Sequence, residues 1–143
     1  VYDILIFEKH LPQTIQFVDQ HPNIQFVVDH IAKPKICSAT FDSTWAENIL
    51  ELGKRTNVAC KLSGMVTEVI DSRWSPNLLK PYVDTVLEAF GPNRLLAGSD
   101  WPVCLLRAEY TQWHQTILSM TESLSESEQF NILGQNACRI YNI

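Results

Sequence analysis

The sequence predicts an α/β fold built on a parallel sheet, and three observations carry that expectation. Four short apolar runs rich in β-branched or aromatic residues, Tyr2–Phe7, Ile24–Val28, Val58–Leu62 and Arg94–Ala97, are each about one strand long. Segments with helical spacing of apolar residues separate them. The connections are short and the repeat is close to the roughly 30 residues of a βαβ unit, which makes successive strands parallel. A chain of 143 residues with 45% hydrophobic and 19% charged residues is also far from the composition of a disordered polypeptide.

The elements follow in order. After the first run, Pro12 suits the first turn of a helix that carries Ile15, Phe17 and Val18. A second helix starts at Ser43 or Thr44, where Thr44 and Glu47 have capping-box spacing and Ile49, Leu50 and Leu52 form the apolar face. Ser75-Pro76 opens a third, with Leu78, Leu79, Tyr82, Val83, Val86, Leu87 and Phe90 at i, i+3, i+4 spacing until Gly91-Pro92 stops it. A fourth covers about Ala108 to Met120. A fifth opens on the Ser125…Glu128 box and is expected to stop at Gly134.

Charge and cysteine usage exclude several function classes. A net charge of −5 with only 11 Lys and Arg argues against a nucleic-acid partner or an anionic membrane surface. No apolar stretch approaches the roughly 20 residues that span a bilayer. The opening Val1-Tyr2-Asp3-Ile4 carries no basic n-region or small-residue cleavage site. Cys37, Cys60, Cys104 and Cys138 include no C-x-x-C pair, so neither a zinc knuckle nor a disulfide framework is expected. Cys60 and Cys104 read as small buried hydrophobes. A reducing, cytoplasmic setting follows as the expectation.

In parallel βα arrays, ligands sit at the carboxyl ends of the strands. Each run here is followed by ionisable or polar residues: Glu8, Lys9 and His10 after the first, Asp29 and His30 after the second, Ser63-Gly64 after the third, and Gly98-Ser99-Asp100-Trp101-Pro102 after the fourth. Pro34 and Pro102 prevent the chain from continuing as a strand, so the residues before them lie on tight turns. Lys61, inside an otherwise apolar run, needs a partner or a cavity. Local roles compete with this reading: Asp29 as a turn cap, Asp100 as a helix N-cap, and His30 satisfied by a backbone carbonyl. His21 and His114 read as surface or packing residues. Ser63 and Ser99 lack the glycine spacing of a nucleophile elbow, and there is neither a G-x-G-x-x-G nor a P-loop.

Four motifs in this order, Asp29-His30-Ile31-Ala32-Lys33-Pro34, Lys61-Leu62-Ser63-Gly64, Gly98-Ser99-Asp100-Trp101-Pro102-Val103 and Ile132-Leu133-Gly134-Gln135-Asn136-Ala137, resemble the amidohydrolase-2 branch of the amidohydrolase superfamily. Within it they are most similar to the sugar-lactone hydrolases. The resemblance implies that residues 1–143 are the carboxy-terminal half, strands five to eight, of a (β/α)8 TIM barrel in a metal-dependent hydrolase. It implies that Asp100 is the general base that activates water and that His30 binds metal or polarises the substrate carbonyl. Lys61, Ser63, Trp101 and His10 would face the substrate. A divalent metal, zinc, would be the cofactor, with His30 and Asp100 among its ligands. The H-x-H pair that ends the family's first strand is absent, since His10, His21, His30 and His114 are isolated.

The expected activity is therefore hydrolysis of a cyclic ester, a sugar-acid or dicarboxylate lactone, by aspartate-activated water. This chain alone would lack the full site. Two other functions fit the same residues: a non-catalytic or partner-dependent half-barrel that binds a ligand, and a decarboxylase related to the same branch. A TIM barrel typically needs ~250 residues, so four strands alone are expected to leave two open edges and an exposed apolar interior. The missing amino-terminal half, or a second copy, would cover them.

Overall fold

Each of the four apolar runs becomes a strand, and all four pair in parallel in chain order. In this computed structural model, which describes Val1–Ile143, they are β1 (Tyr2–Ile4), β2 (Phe26–Val28), β3 (Val58–Leu62) and β4 (Leu95–Ala97). Helices α1 (Leu11–Gln20), α2 (Ser43–Gly53) and α3 (Pro76–Phe90) make the crossovers, and α4 (Tyr110–Met120), α5 (Glu126–Phe130) and α6 (Asn136–Tyr141) follow β4. Neighbouring strands joined by one helix each are four successive βα units, half of a (β/α)8 barrel.

Register sorts the side chains. Tyr2 pairs with Phe26 and Phe26 with Val58, while Val28 pairs with Cys60 and Cys60 with Leu95. By the two-residue period of a strand, Ile4, Phe26, Val28, Val58, Cys60, Leu62 and Leu95 face the helices, where they join Trp45, Ile49, Leu52, Val83 and Trp113 in the main core. The opposite face presents Asp3, Val27, Ala59, Lys61 and Leu96. Its apolar members are not exposed as the half-barrel length suggests. Val27, Ala59 and Leu96 are buried beneath Ile140, with Ala137 and Tyr141 of α6 packed beside it. Large apolar side chains are exposed elsewhere, among them Tyr2, Leu5 and Phe17 near β1, and Trp101, Leu105 and Leu106 after β4.

Several boundaries differ from the sequence pattern for local reasons. β1 ends at Ile4 because its partner β2 turns away after Val28, so Leu5–Phe7 has no ladder to join. α2 is capped by Asp42, whose carboxylate accepts the Trp45 amide at 3.0 Å, and not by Thr44 with Glu47. The Ser125–Glu128 box does form. Gly134 is not a helix stop. A π-type turn over Asn131–Gln135 carries the helix through it into α6. Wide turns of this kind accommodate an extra residue, and buried Asn136 fixes the register by donating to the carbonyls of Pro92 and Leu95, both at 2.7 Å. All four cysteines are free, with Cys60 and Cys104 buried. No helix is long and apolar enough to cross a membrane.

One side chain ties the amino-terminal end of β4 to the α2 and α3 layer. The Arg94 guanidinium donates to four carbonyls, those of Arg55, Val58, Gly53 and Ala89, at 2.8–3.2 Å. Replacement by methionine keeps the stem and leaves these acceptors without their shared donor. Arg94→Met is expected to cost about 3 kcal/mol, read as a lower denaturation midpoint at unchanged slope. A loss within about 0.5 kcal/mol, the scatter of ordinary surface changes, would show that the four bonds do not hold the strand in place.

Candidate active site

The backbone leaves β2 in an unusual conformation. His30, Ile31, Ala32 and Lys33 all have positive φ, at 52°, 48°, 61° and 49°. A left-handed turn costs L-residues about 1–2 kcal/mol each, and a β-branched residue such as Ile31 is least suited to it. Tertiary contacts hold the turn in place. Ile31 and Ala32 are fully buried. The Trp45 indole donates to the Ile31 carbonyl at 2.7 Å, and the Lys33 amide to the His30 carbonyl at 2.8 Å. Lys33 Nζ sits 3.4 Å from Glu68 and 5.6 Å from the centre of the Phe7 ring. Gly64 completes the fit, because a Cβ there would lie 2.7 Å from His30 Cγ and its own φ is +65°.

The turn aims His30 across the strand ends. Its Nδ1 is 2.8 Å from Ser63 Oγ, just past β3, and its Nε2 is 3.5 Å from Asp100 Oδ1, past β4. Asp100 also has a positive φ, 56°. The His30 and Asp100 side chains keep 16% and 15% of their accessible surface, enough for a small molecule to reach them, whereas Ser63 is buried. Asp100 is not the side-chain cap of a helix, although its carbonyl accepts the Cys104 amide at 2.9 Å.

Lys61 has the partners its position demanded. On the same sheet face its Nζ lies 2.7 Å from Asp29 Oδ1 and donates to Asp3 Oδ2 at 3.2 Å. That buried Asp29 oxygen has no well-aligned hydrogen bond, so the attraction is one of charge. Tyr141, reaching back from α6, donates to Asp3 Oδ1 at 2.6 Å and places its ring 5.4 Å from Lys61 Nζ. Burial alone would lower the Lys61 pKa; its contacts with Asp29, Tyr141 and Asp3 outweigh that and raise it above the ordinary lysine value. Burial, with the bond to Asp3, raises the Tyr141 phenol.

The structure thus brings together His30, Ser63 and Asp100, with Lys61 on the same face among carboxylates. His10 lies apart. Its Nδ1 accepts the Phe7 amide at 3.3 Å, and the residue lines a separate cleft along β1 with Asp3, Leu5 and Phe17. Trp101 is exposed directly after Asp100. His21 is an exposed helix cap, and His114 stacks on Tyr110. Asp3, Tyr141 and the partnership of Asp29 with Lys61 escape a reading of strand ends alone. Asp3 carries the same signal as Lys61, a charge inside an apolar run, but nothing in the spacing shows that Tyr141 closes the circuit. A catalytic zinc takes three protein ligands and a structural one four. His30 and Asp100 offer two donors, and no group of three His, Cys, Asp or Glu side chains in the chain can hold a metal.

The family model described as amidohydrolase matches residues 1–143. The chain belongs to the amidohydrolase family. Among curated relatives, an L-fucono-1,5-lactonase from Burkholderia multivorans is 39% identical over 153 residues, covering 99% of this chain and 51% of the relative. An L-rhamnono-gamma-lactonase from Scheffersomyces stipitis is 28% identical over 92% of this chain and 44% of the relative. An amidohydrolase of Burkholderia multivorans crystallised with bound zinc superposes with a TM-score of 0.93 at 38% identity, over 99% of this chain and 52% of that one. The chain therefore spans about half the length of the amidohydrolases it matches.

The Lys61 cluster makes a pH-dependent prediction. Because the folded-state pKa is raised, the ion pairs stabilise fully below the unfolded lysine value, near 10.4, and that stability drains as pH climbs through the folded value. Lys61→Met is expected to melt below the parent at neutral pH, with the gap narrowing above about pH 10.4. A gap that stays constant through alkaline pH would show that the ammonium charge does not stabilise the cluster.

Proposed function

We propose that this chain supplies the water-activating and carbonyl-binding half of a lactone hydrolase, in an intact protein that carries the other half of the barrel. The observation that carries the reading is the pairing of His30 Nε2 with Asp100 Oδ1 at 3.5 Å, both partly open to solvent. In lactone hydrolysis a water must lose a proton as it attacks a carbonyl whose oxygen gains negative charge. Asp100 accepts that proton and returns it to the ring oxygen as the ester C–O bond breaks, which gives the open hydroxy acid. When the Ser63 hydroxyl donates to Nδ1, His30 carries its own proton on Nε2 and donates it toward the carbonyl oxygen.

Identity of 39% and 36% to two L-fucono-1,5-lactonases supports a lactone of a deoxy sugar acid as the substrate class. Trp101 offers an exposed ring beside Asp100 for the C–H face of such a sugar. Ser63 acts through His30, Lys61 holds Asp29 and Asp3 on the sheet face below the pair, and His10, in its separate cleft, is left out of the reaction. A divalent metal, zinc, belongs to the proposal. That role replaces donation to the carbonyl: with the His30 proton on Nδ1 and donated to Ser63, Nε2 would be free to ligate, and His30 and Asp100 would be the two ligands on this chain, the remaining ones lying outside it. Bound there, a zinc ion would lower the pKa of water to about 7.

Asp100→Asn in the intact protein is expected to lower kcat on L-fucono-1,5-lactone by about 10²–10⁴-fold, the usual worth of a positioned general base, with little change in melting temperature. An unchanged rate would remove Asp100 from that role.

A further inference from the structure

The two residues of the candidate pair both stand on backbone that L-residues avoid, with φ of 52° at His30 and 56° at Asp100. Such strain persists only where surrounding structure over-determines it, so the groups that impose it are part of the site. On each side one of them is an indole from the outer helix layer. Trp45, on α2, donates Nε1–H to the carbonyl of Ile31, the residue after His30, at 2.7 Å. Trp113, on α4, donates Nε1–H to the carbonyl of Gly98, two residues before Asp100, at 2.8 Å. Both rings are 1% exposed, within the main core.

We propose that Trp45 and Trp113 are positioning residues, which fix the separation of His30 from Asp100 by anchoring the Ile31 and Gly98 carbonyls to α2 and α4. A buried indole brings a rigid apolar body and one directional donor. Its body is locked by the core, so its N–H marks a fixed point in space for the strand-end backbone. Other half-buried polar contacts do not serve this purpose: the Trp74 indole donates to the Arg107 carbonyl at 2.8 Å, away from both residues. The two anchors act independently, one per loop, and each indole N–H is committed to its carbonyl and not to the carboxylate or the imidazole. Burial of Ile31 and Ala32 keeps the turn itself; loss of one indole donor frees the carbonyl it holds and shifts one member of the pair relative to the other by a fraction of an ångström.

The inference rests on the reading of His30 and Asp100 as the working pair, and the test separates the two. Trp45→Phe and Trp113→Phe in the intact protein keep an aromatic ring and delete the N–H. Each is expected to lower kcat about tenfold, and the double variant about a hundredfold, with KM within about threefold, as misplacement of reacting groups by a fraction of an ångström does. Ile49→Val, a methylene deletion on the buried face of α2, is the control: it lowers the melting temperature and leaves kcat unchanged. The second readout needs no activity. The imidazole signals of protein labelled with ¹⁵N-histidine are assigned with His30→Asn, and the His30 signal is expected to shift in Trp45→Phe while those of His10, His21 and His114 stay in place. If a phenylalanine variant fails to fold, 3-benzothienylalanine at that position replaces the N–H by sulfur at nearly the same shape. Loss of kcat in proportion to melting temperature across the tryptophan variants and Ile49→Val would overturn the proposal, as would parental kcat and an unmoved His30 signal. If the parent hydrolyses no lactone, the proposed function fails, and the His30 signal alone decides the positioning role.

Discussion

The left-handed turn over His30–Lys33 is the constraint on which the candidate site depends. Four consecutive L-residues with positive φ amount to about 4–8 kcal/mol of unfavourable backbone energy at the usual 1–2 kcal/mol per residue. No local hydrogen bond can offset that much, since one contributes about 1 kcal/mol net. The turn exists because its centre is buried: Ile31 and Ala32 have no exposed surface, and relaxing the turn would pull them out of the core. The chain therefore trades a strained backbone for a packed one, and the direction in which the His30 ring points is a by-product of where Ile31 must go. Gly64 shows the same coupling from the other side. Its missing side chain leaves the space that the His30 ring fills.

A second constraint lies on the inner face of the sheet. Alternation places Asp3, Lys61 and the apolar trio Val27, Ala59 and Leu96 on that face, and α6 closes over it through Ile140, Ala137 and Tyr141. A lysine and two carboxylates in partly dry surroundings are costly unless they neutralise one another. Tyr141 satisfies one Asp3 oxygen while Lys61 takes the other. One helix, α6, thus supplies both the apolar seal and the phenol that completes the charged cluster, which makes the carboxyl-terminal residues part of the sheet's polar accounting as well as of its core.

How much of this the sequence discloses depends on the range of the signal. The four strands, the parallel order and the caps at Ser75 and Ser125 rest on local patterns, periods of 2 and 3.6 with caps at fixed offsets, and these are legible. Lys61 announces itself as a charge in an apolar run, and its need for a partner is legible even though the partner is not. The ends of β1 and β2 are not, because a strand stops where its neighbour stops, which is a tertiary fact. Gly134 misleads for a related reason: glycine disfavours a helix interior by about 1 kcal/mol, and the buried amide of Asn136 overrides so small a preference. The meeting of His30, Ser63 and Asp100 follows from strand order, but the left-handed turn that aims the imidazole has no sequence pattern, since none of its four residues is a glycine. Only Gly64, 34 residues after His30, marks it, and its meaning appears once the two are seen in contact.

Three adjacent strand ends are enough to set the pair but not to enclose it. β2, β3 and β4 supply His30, Ser63 and Asp100, and every contact that orients these residues comes from the same four βα units. The pair nevertheless remains open, and its two donors fall short of the three that a catalytic zinc takes. His10, at the end of β1, points into a cleft of its own. The outer edges of β1 and β4 have no strand partner, where further strands would pack in a closed barrel, and Tyr2, Leu5 and Phe17 near β1 and Leu105 and Leu106 after β4 are exposed. Orientation and enclosure are therefore separable properties of this fold. These four units fix how the pair is oriented, and enclosure requires surface beyond both edges of the sheet.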